Sequence, residues 1–203
     1  MGAFAALTQV CSALGLSSAA GLNAYIPLLA IGILGRLGIV HLDGPYAMLS
    51  TWTVLIVLGV LAAIDFVADK VPAVDHAMHA IGIVVNPLAG AIVFGSQTHA
   101  IGNVPAALSL AAGLIVAGGF HATRAAVRPV STATTGGIAN PFLSLLEDGT
   151  ALVLSLLAVF MPILAVVLMV ILVFALFKSW RAIRTFLARK FGGKPRQPAA
   201  TSV

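Results

Sequence analysis

Long apolar runs alternate with short polar breaks along this chain. Ala3 to Ala20, Leu22 to Val40, Thr53 to Ala68, Pro105 to about His121, and Thr150 to Phe177 are the main runs. A helix needs about 20 predominantly apolar residues to cross a hydrocarbon core roughly 30 Å thick. The runs therefore predict a polytopic helix bundle, with five, six or seven crossings all compatible with the pattern. Thr150 to Phe177 would measure about 42 Å as one straight helix at 1.5 Å per residue. It must tilt, kink at Pro162 or protrude.

The breaks are as informative as the runs. SSAAGLN, residues 17–23, is too apolar and short for an aqueous loop. It predicts a broken or re-entrant helix near Gly21–Asn23, with Pro27 one turn later, whose freed backbone groups must find partners inside protein. Arg36 to Ser50 reads as a loop turning at Asp43-Gly44-Pro45, with Trp52 at the start of the next span, where an interfacial indole is common. Pro72 to Val85 fits an amphipathic helix. Pro87 to Phe94 is too short to count as a crossing by itself, and Gly95 to Val104 reads as a polar turn region. His121 to Gly149 is rich in Ser, Thr and Gly and interrupts the apolar pattern a second time.

Those two interruptions echo one another. Ser17–Leu29 (SSAAGLNAYIPLL) aligns without gaps to Thr134–Leu146 (TTGGIANPFLSLL), pairing Asn23 with Asn140 and Tyr25 with Phe142. An internal repeat and a chance match in low-complexity sequence both account for this. Three crossings between the copies would make an inverted repeat, the arrangement expected, and four a parallel one. Secondary transporters built from such repeats bind their cargo where discontinuous helices meet.

Composition narrows the class. Of 203 residues 60% are hydrophobic and only 8% charged, against roughly a quarter charged in a soluble domain. Mean hydropathy is +1.09. The fold class expected is an all-α integral membrane protein. Met1 to Gln9 carry no basic residue, so the first run is expected to remain as a membrane helix and not a cleaved signal. The lone Cys11 fits plain core. Seven of the eleven basic residues fall between Lys178 and Arg196. Residues 1–177 thus read as the membrane domain and 178–203 as a basic, partly disordered tail. Excess basic charge beside a span places the C-terminus in the cytoplasm and favours lipid headgroups, not nucleic acid, as its partner.

Half of the acidic residues lie in DFVADKVPAVDHAMH, residues 65–79. Asp65 follows an unbroken apolar run, and a carboxylate in hydrocarbon is costly enough that it usually faces a partner or a wet cavity. Asp65 and Asp69, with Lys70 beside them, would share a face of a continuing helix and could bind a cation or proton; the bland reading puts Asp69, Lys70 and Asp75 at the water interface. Asp75, His76 and His79 have the spacing to ligate a metal, a divalent cation being the one cofactor suggested, although stricter zinc patterns are absent. Glu147 and Asp148 either cap the last helix, where negative charge suits the dipole, or face Asp65 and Asp69 across a central site. His121, Arg124 and Arg128 fall on one helical face, either snorkelling or holding an anion with neighbouring hydroxyls. Asn23 and Asn140 either cap half-helices or contact a solute.

Several blocks together carry a family likeness: GLNAYIPLL (21–29), ADKVPAVDHAMHAI (68–81), NPLAGA (86–91) and HATRAAVRPVS (121–131) running to ANPFLSLLED (139–148). The chain resembles a bacterial family of small multi-pass membrane proteins, the domain of unknown function DUF4126. Members often carry Ser-Pro-Glu-Pro before the second break, where this chain has STATTGGIANP, so an acidic residue is missing there. The resemblance implies a multi-pass inner-membrane protein and brings no activity. The residues themselves point to a transporter or channel for a cation or small solute, proton-coupled and homo-oligomeric. An enzyme on lipid phosphate and a non-catalytic scaffold are the alternatives, and a non-enzyme is favoured.

Overall fold

The computed structural model describes residues 2–68, 72–101 and 104–191, without the side chains of residues 72–79, 100, 127, 129, 130, 133, 134, 176, 179, 180 and 182–191. Asp69 and Lys70, and the side chains of Asp75, His76 and His79, lie outside the described residues. So does the end of the tail, residues 192–203.

Among the described residues seven α-helices follow one another: α1 Ala3–Leu22, α2 Tyr25–Arg36, α3 Trp52–Ala68, α4 Pro72–Thr98, α5 Ala106–Thr135, α6 Asn140–Phe160 and α7 Pro162–Phe191. Short 3-10 turns occupy Gly44–Ser50 and His99–Ile101, and no strand occurs among the described residues. Among the described residues four helices are long and apolar enough to cross a membrane: Ala3–Leu22, Ala80–Thr98, Ala106–Ala126 and Asn140–Phe160. Gly44–Ser50 with Trp52–Ala68, bent by 64°, makes a fifth if counted as one broken span. This is an all-α, multi-pass membrane architecture.

The second half of α1 is the axis of the bundle. Ser12, Ala13 and every residue from Gly15 to Leu22 are buried, against α4, α5, α6 and α7. Lipid gives helices no hydrophobic reason to associate, so they close up through small residues and shared polar contacts. The sequence LGLSSAAGL supplies both. Ser17 donates to the carbonyl of Gly90 on α4 at 2.7 Å and lies 3.3 Å from that of Gly113 on α5. Gly90 and Gly113 face each other there, and a Cβ on Gly113 would sit 2.4 Å from the Gly90 carbonyl oxygen. The outer helices look outward instead. On α3 only Leu55 and Ala68 are buried, while Ile56, Val60, Ile64 and Val67 are exposed, as a lipid-facing helix would have them.

Three boundaries differ from the sequence expectations. Pro72–Val85 and Pro87–Phe94 are one helix that passes through Pro87, which membrane helices tolerate when neighbours supply the missing contacts. That helix absorbs Gly95–Thr98, so the turn region is shorter than expected. The Ser/Thr-rich stretch after His121 is helical as far as Thr135. Its hydroxyls bond back to their own helix, Thr123 to the Gly119 carbonyl, Thr132 to Arg128 and Thr135 to Ser131, and so do not compete with it. Gly136 and Gly137, at φ 65° and 88°, then end α5 in the left-handed conformation usual after a helix. The last apolar run breaks at Met161 (φ −140°, ψ 66°), in keeping with the kink expected at Pro162, since a proline disfavours the helical region for the residue before it.

Candidate functional site at the α1–α2 break

The predicted break is present, and its chemistry is local. Asn23 takes an extended conformation (φ −145°, ψ 123°) between α1 and α2 while its own N–H still closes the last turn of α1 on Ala19. Its side-chain Oδ1 accepts from the main-chain N–H groups of Tyr25 at 2.9 Å and Ile26 at 3.2 Å. That caps α2 as an Asn side chain caps any helix start. Pro27 suits the first turn, where an N–H would lack a helical partner anyway.

The carbonyl side of the break is served from two other helices. Asn86 on α4 donates to the Gly21 carbonyl at 3.1 Å, and the Arg124 guanidinium on α5 donates to that of Leu22. These are among the last carbonyls of α1, which have no intrahelical donor.

The Asn23 amide nitrogen faces the acids. It donates to Asp65 on α3 at 3.1 Å and to Asp148 on α6 at 2.9 Å. Glu147 reaches α5, where its carboxylate meets the Arg124 Nε at 2.6 Å and the Arg128 guanidinium at 2.8 Å. Adjacent helical residues point about 100° apart, so the Glu-Asp pair can address two neighbours at once. Both arginines are buried and Glu147 is 17% exposed. This overturns the reading of Glu147 and Asp148 as caps of the last helix: α6 begins at Asn140, and the pair lies two turns inside it.

Beside Asn23 is a chamber of about 20 Å³, lined in part by Asn23, Tyr25, Asp65, Asn86, His121 and Arg124. A void of roughly 10–15 Å³ already admits one water molecule, so the chamber fits a water or a small ion and little more. His121 is buried against α4, where a methyl added to Gly82 would come within 2.8 Å of its ring.

The structure thus brings Asn23, Asp65, Glu147, Asp148, His121, Arg124 and Arg128 together. Asn140 is buried at the α5–α6 junction, where it donates to Thr132 at 3.0 Å, and it does not line the chamber. Among the described residues no three of His, Cys, Asp and Glu converge as a metal site; the Asp75, His76 and His79 expectation lies outside them. Asn86 and Tyr25 were missed in the sequence. Asn86 carried a signal, a lone amide before proline inside an apolar run.

A family model described as a domain of unknown function (DUF4126) matches residues 10–182. No curated protein and no solved structure matches the chain.

Proposed function

The chain belongs to the domain of unknown function DUF4126, a premise that supplies no reaction, and we propose that it is a small transporter or channel for a cation or small solute, coupled to protons. One observation carries this reading: Asn23, at a helix break, holds Asp65 and Asp148 on one nitrogen. Discontinuous helices with polar groups at the break are how secondary transporters build their sites.

Charge points the same way. In the described cluster the carboxylates are Asp65, Glu147 and Asp148, and Glu147 is the one that Arg124 and Arg128 hold. Asp65 lines the chamber, and a carboxylate at a cavity within the membrane can take up a proton or a small cation. The chamber's size favours the small cation over an organic solute in this conformation.

Lipid-phosphate chemistry is the weaker reading. It needs Arg124 and Arg128 to grip phosphate, and both already hold Glu147. The proposal further sets the protein in the bacterial inner membrane as a homo-oligomer, its C-terminus cytoplasmic on the strength of the basic tail.

The test is thermal stability of detergent-purified protein against monovalent and divalent cations at two pH values, wild type beside Asp65→Asn. A ligand of the folded state alone stabilises it by about 2.7 kcal/mol at a hundredfold excess over Kd. One cation, or the change in pH, should raise the melting temperature of wild type and not of the variant. Flux of that ion into proteoliposomes should follow the same pattern. Equal responses from both proteins, or none from either, would sink the reading.

A further inference from the structure

On the flank of the bundle, α1, α5 and α7 enclose a groove of about 630 Å³. It shares no lining residue with the chamber at Asn23. Its walls are almost wholly apolar, among them Leu14, Ile115, Phe120, Met169, Val173 and Phe177. The volume lies within the roughly 300–1,000 Å³ of ordinary ligand sites. Gly119 also lines it, and a Cβ there would meet no atom within 4 Å. The space is therefore open toward α5, with no side chain filling it.

One end of the groove is chemically different. The apolar run of α7 ends at Phe177. Lys178 follows Phe177 in the chain, and the Arg181 guanidinium lies over the Phe177 ring with 5.7 Å between its central carbon and the ring centroid. A hydrocarbon trough with a guanidinium over its last ring, and a lysine next in the chain, matches an amphiphile with an anionic head. Basic residues where a membrane helix meets water attract anionic lipid, and a groove leading away from them supplies what a merely charged surface lacks, a fixed seat for the chain.

We propose that this groove is a specific site for one anionic phospholipid of the bilayer, its acyl chain along α1, α5 and α7 and its phosphate at Lys178 and Arg181. The site is independent of the cation reading of the Asn23 cluster.

Native mass spectrometry of the full chain tests it, with phosphatidylglycerol and phosphatidylcholine of identical acyl chains as probes. Wild type should keep a phosphatidylglycerol adduct in preference to phosphatidylcholine. Gly119→Leu fills the groove from an open position, and leucine suits a helix better than glycine, so its melting temperature should hold while the adduct falls. Lys178→Ala/Arg181→Ala should cost the phosphatidylglycerol preference roughly tenfold or more, at about 1 kcal/mol per basic residue near the surface. Equal adducts of both lipids on wild type would overturn the proposal. So would a Gly119→Leu variant that keeps its adduct, since the basic tail alone would then account for binding. A dimer that becomes monomeric in Gly119→Leu, with adducts unchanged, would assign the groove to a second copy of the chain and also overturn it.

Discussion

The Asp148 carboxylate accepts a hydrogen bond from the Asn23 side chain at 2.9 Å, joining residues 125 positions apart. Through that contact α6 reaches the break after α1. The same amide holds Asp65 and caps α2, so its removal affects three helices at once.

Asn23→Ala should therefore be costly. It strips the cap from α2 and leaves two carboxylates short of a donor, a combined loss on the order of 3 kcal/mol. Asn23→Ser restores an oxygen that can cap but no amide, and should fall between Ala and wild type. Melting temperatures in one detergent give the order; an alanine variant as stable as wild type would mean the break is held elsewhere.

Glu147, 17% exposed, and the buried Arg124 form an ion pair at 2.6 Å. Breaking one side of such a pair costs about 3–5 kcal/mol, because the surviving charge stays buried. Arg124→Gln and Glu147→Gln should each destabilise strongly. The double variant should be markedly more stable than the sum of the two losses predicts. A double-mutant cycle reads that coupling directly, and strict additivity would count against the pair, with Arg128 as the other partner of Glu147.

The helix crossing at Ser17 should be sensitive to single methyl groups. A Cβ on Gly90 would sit 2.2 Å from that of Ala117 and 2.8 Å from the Gly113 carbonyl oxygen. Gly90→Ala should cost about 1–3 kcal/mol by overpacking, although alanine is the better helix former. Ser17→Ala should cost only about 1 kcal/mol, one net hydrogen bond. Chemical unfolding separates the two; a neutral Gly90→Ala would show that α4 and α5 can part without loss.

The membrane architecture and the first break were legible because they depend on local pattern. A run of apolar residues of bilayer length, and an Asn after a Gly inside such a run, state their own requirements. The stretch from His121 to Thr135 was harder. Hydroxyl-rich sequence suggests a loop when the side chains are assumed to bond outward, yet Thr123, Thr132 and Thr135 bond inward and leave the helix intact. Pro87 misled in the same way, as a stop signal that a packed membrane helix ignores. Glu147 and Asp148 were legible as site candidates but not in their division of labour. Which helix each would face depends on where α5 and α1 pack, and no local pattern carries that. Asn140 stands at the second junction as the echo suggested, but its bond to Thr132 differs from those of Asn23.

The contacts of α1 also bear on how the protein is made. Ser17 bonds a carbonyl 73 residues farther along the chain, and Asn23 has partners 42 and 125 residues farther along. A ribosome delivers the first helix long before any of these groups exist. Among the described helices α1 is thus made before its polar partners, and Ser17 and Asn23 must wait for α3, α4 and α6 before their hydrogen bonds can close.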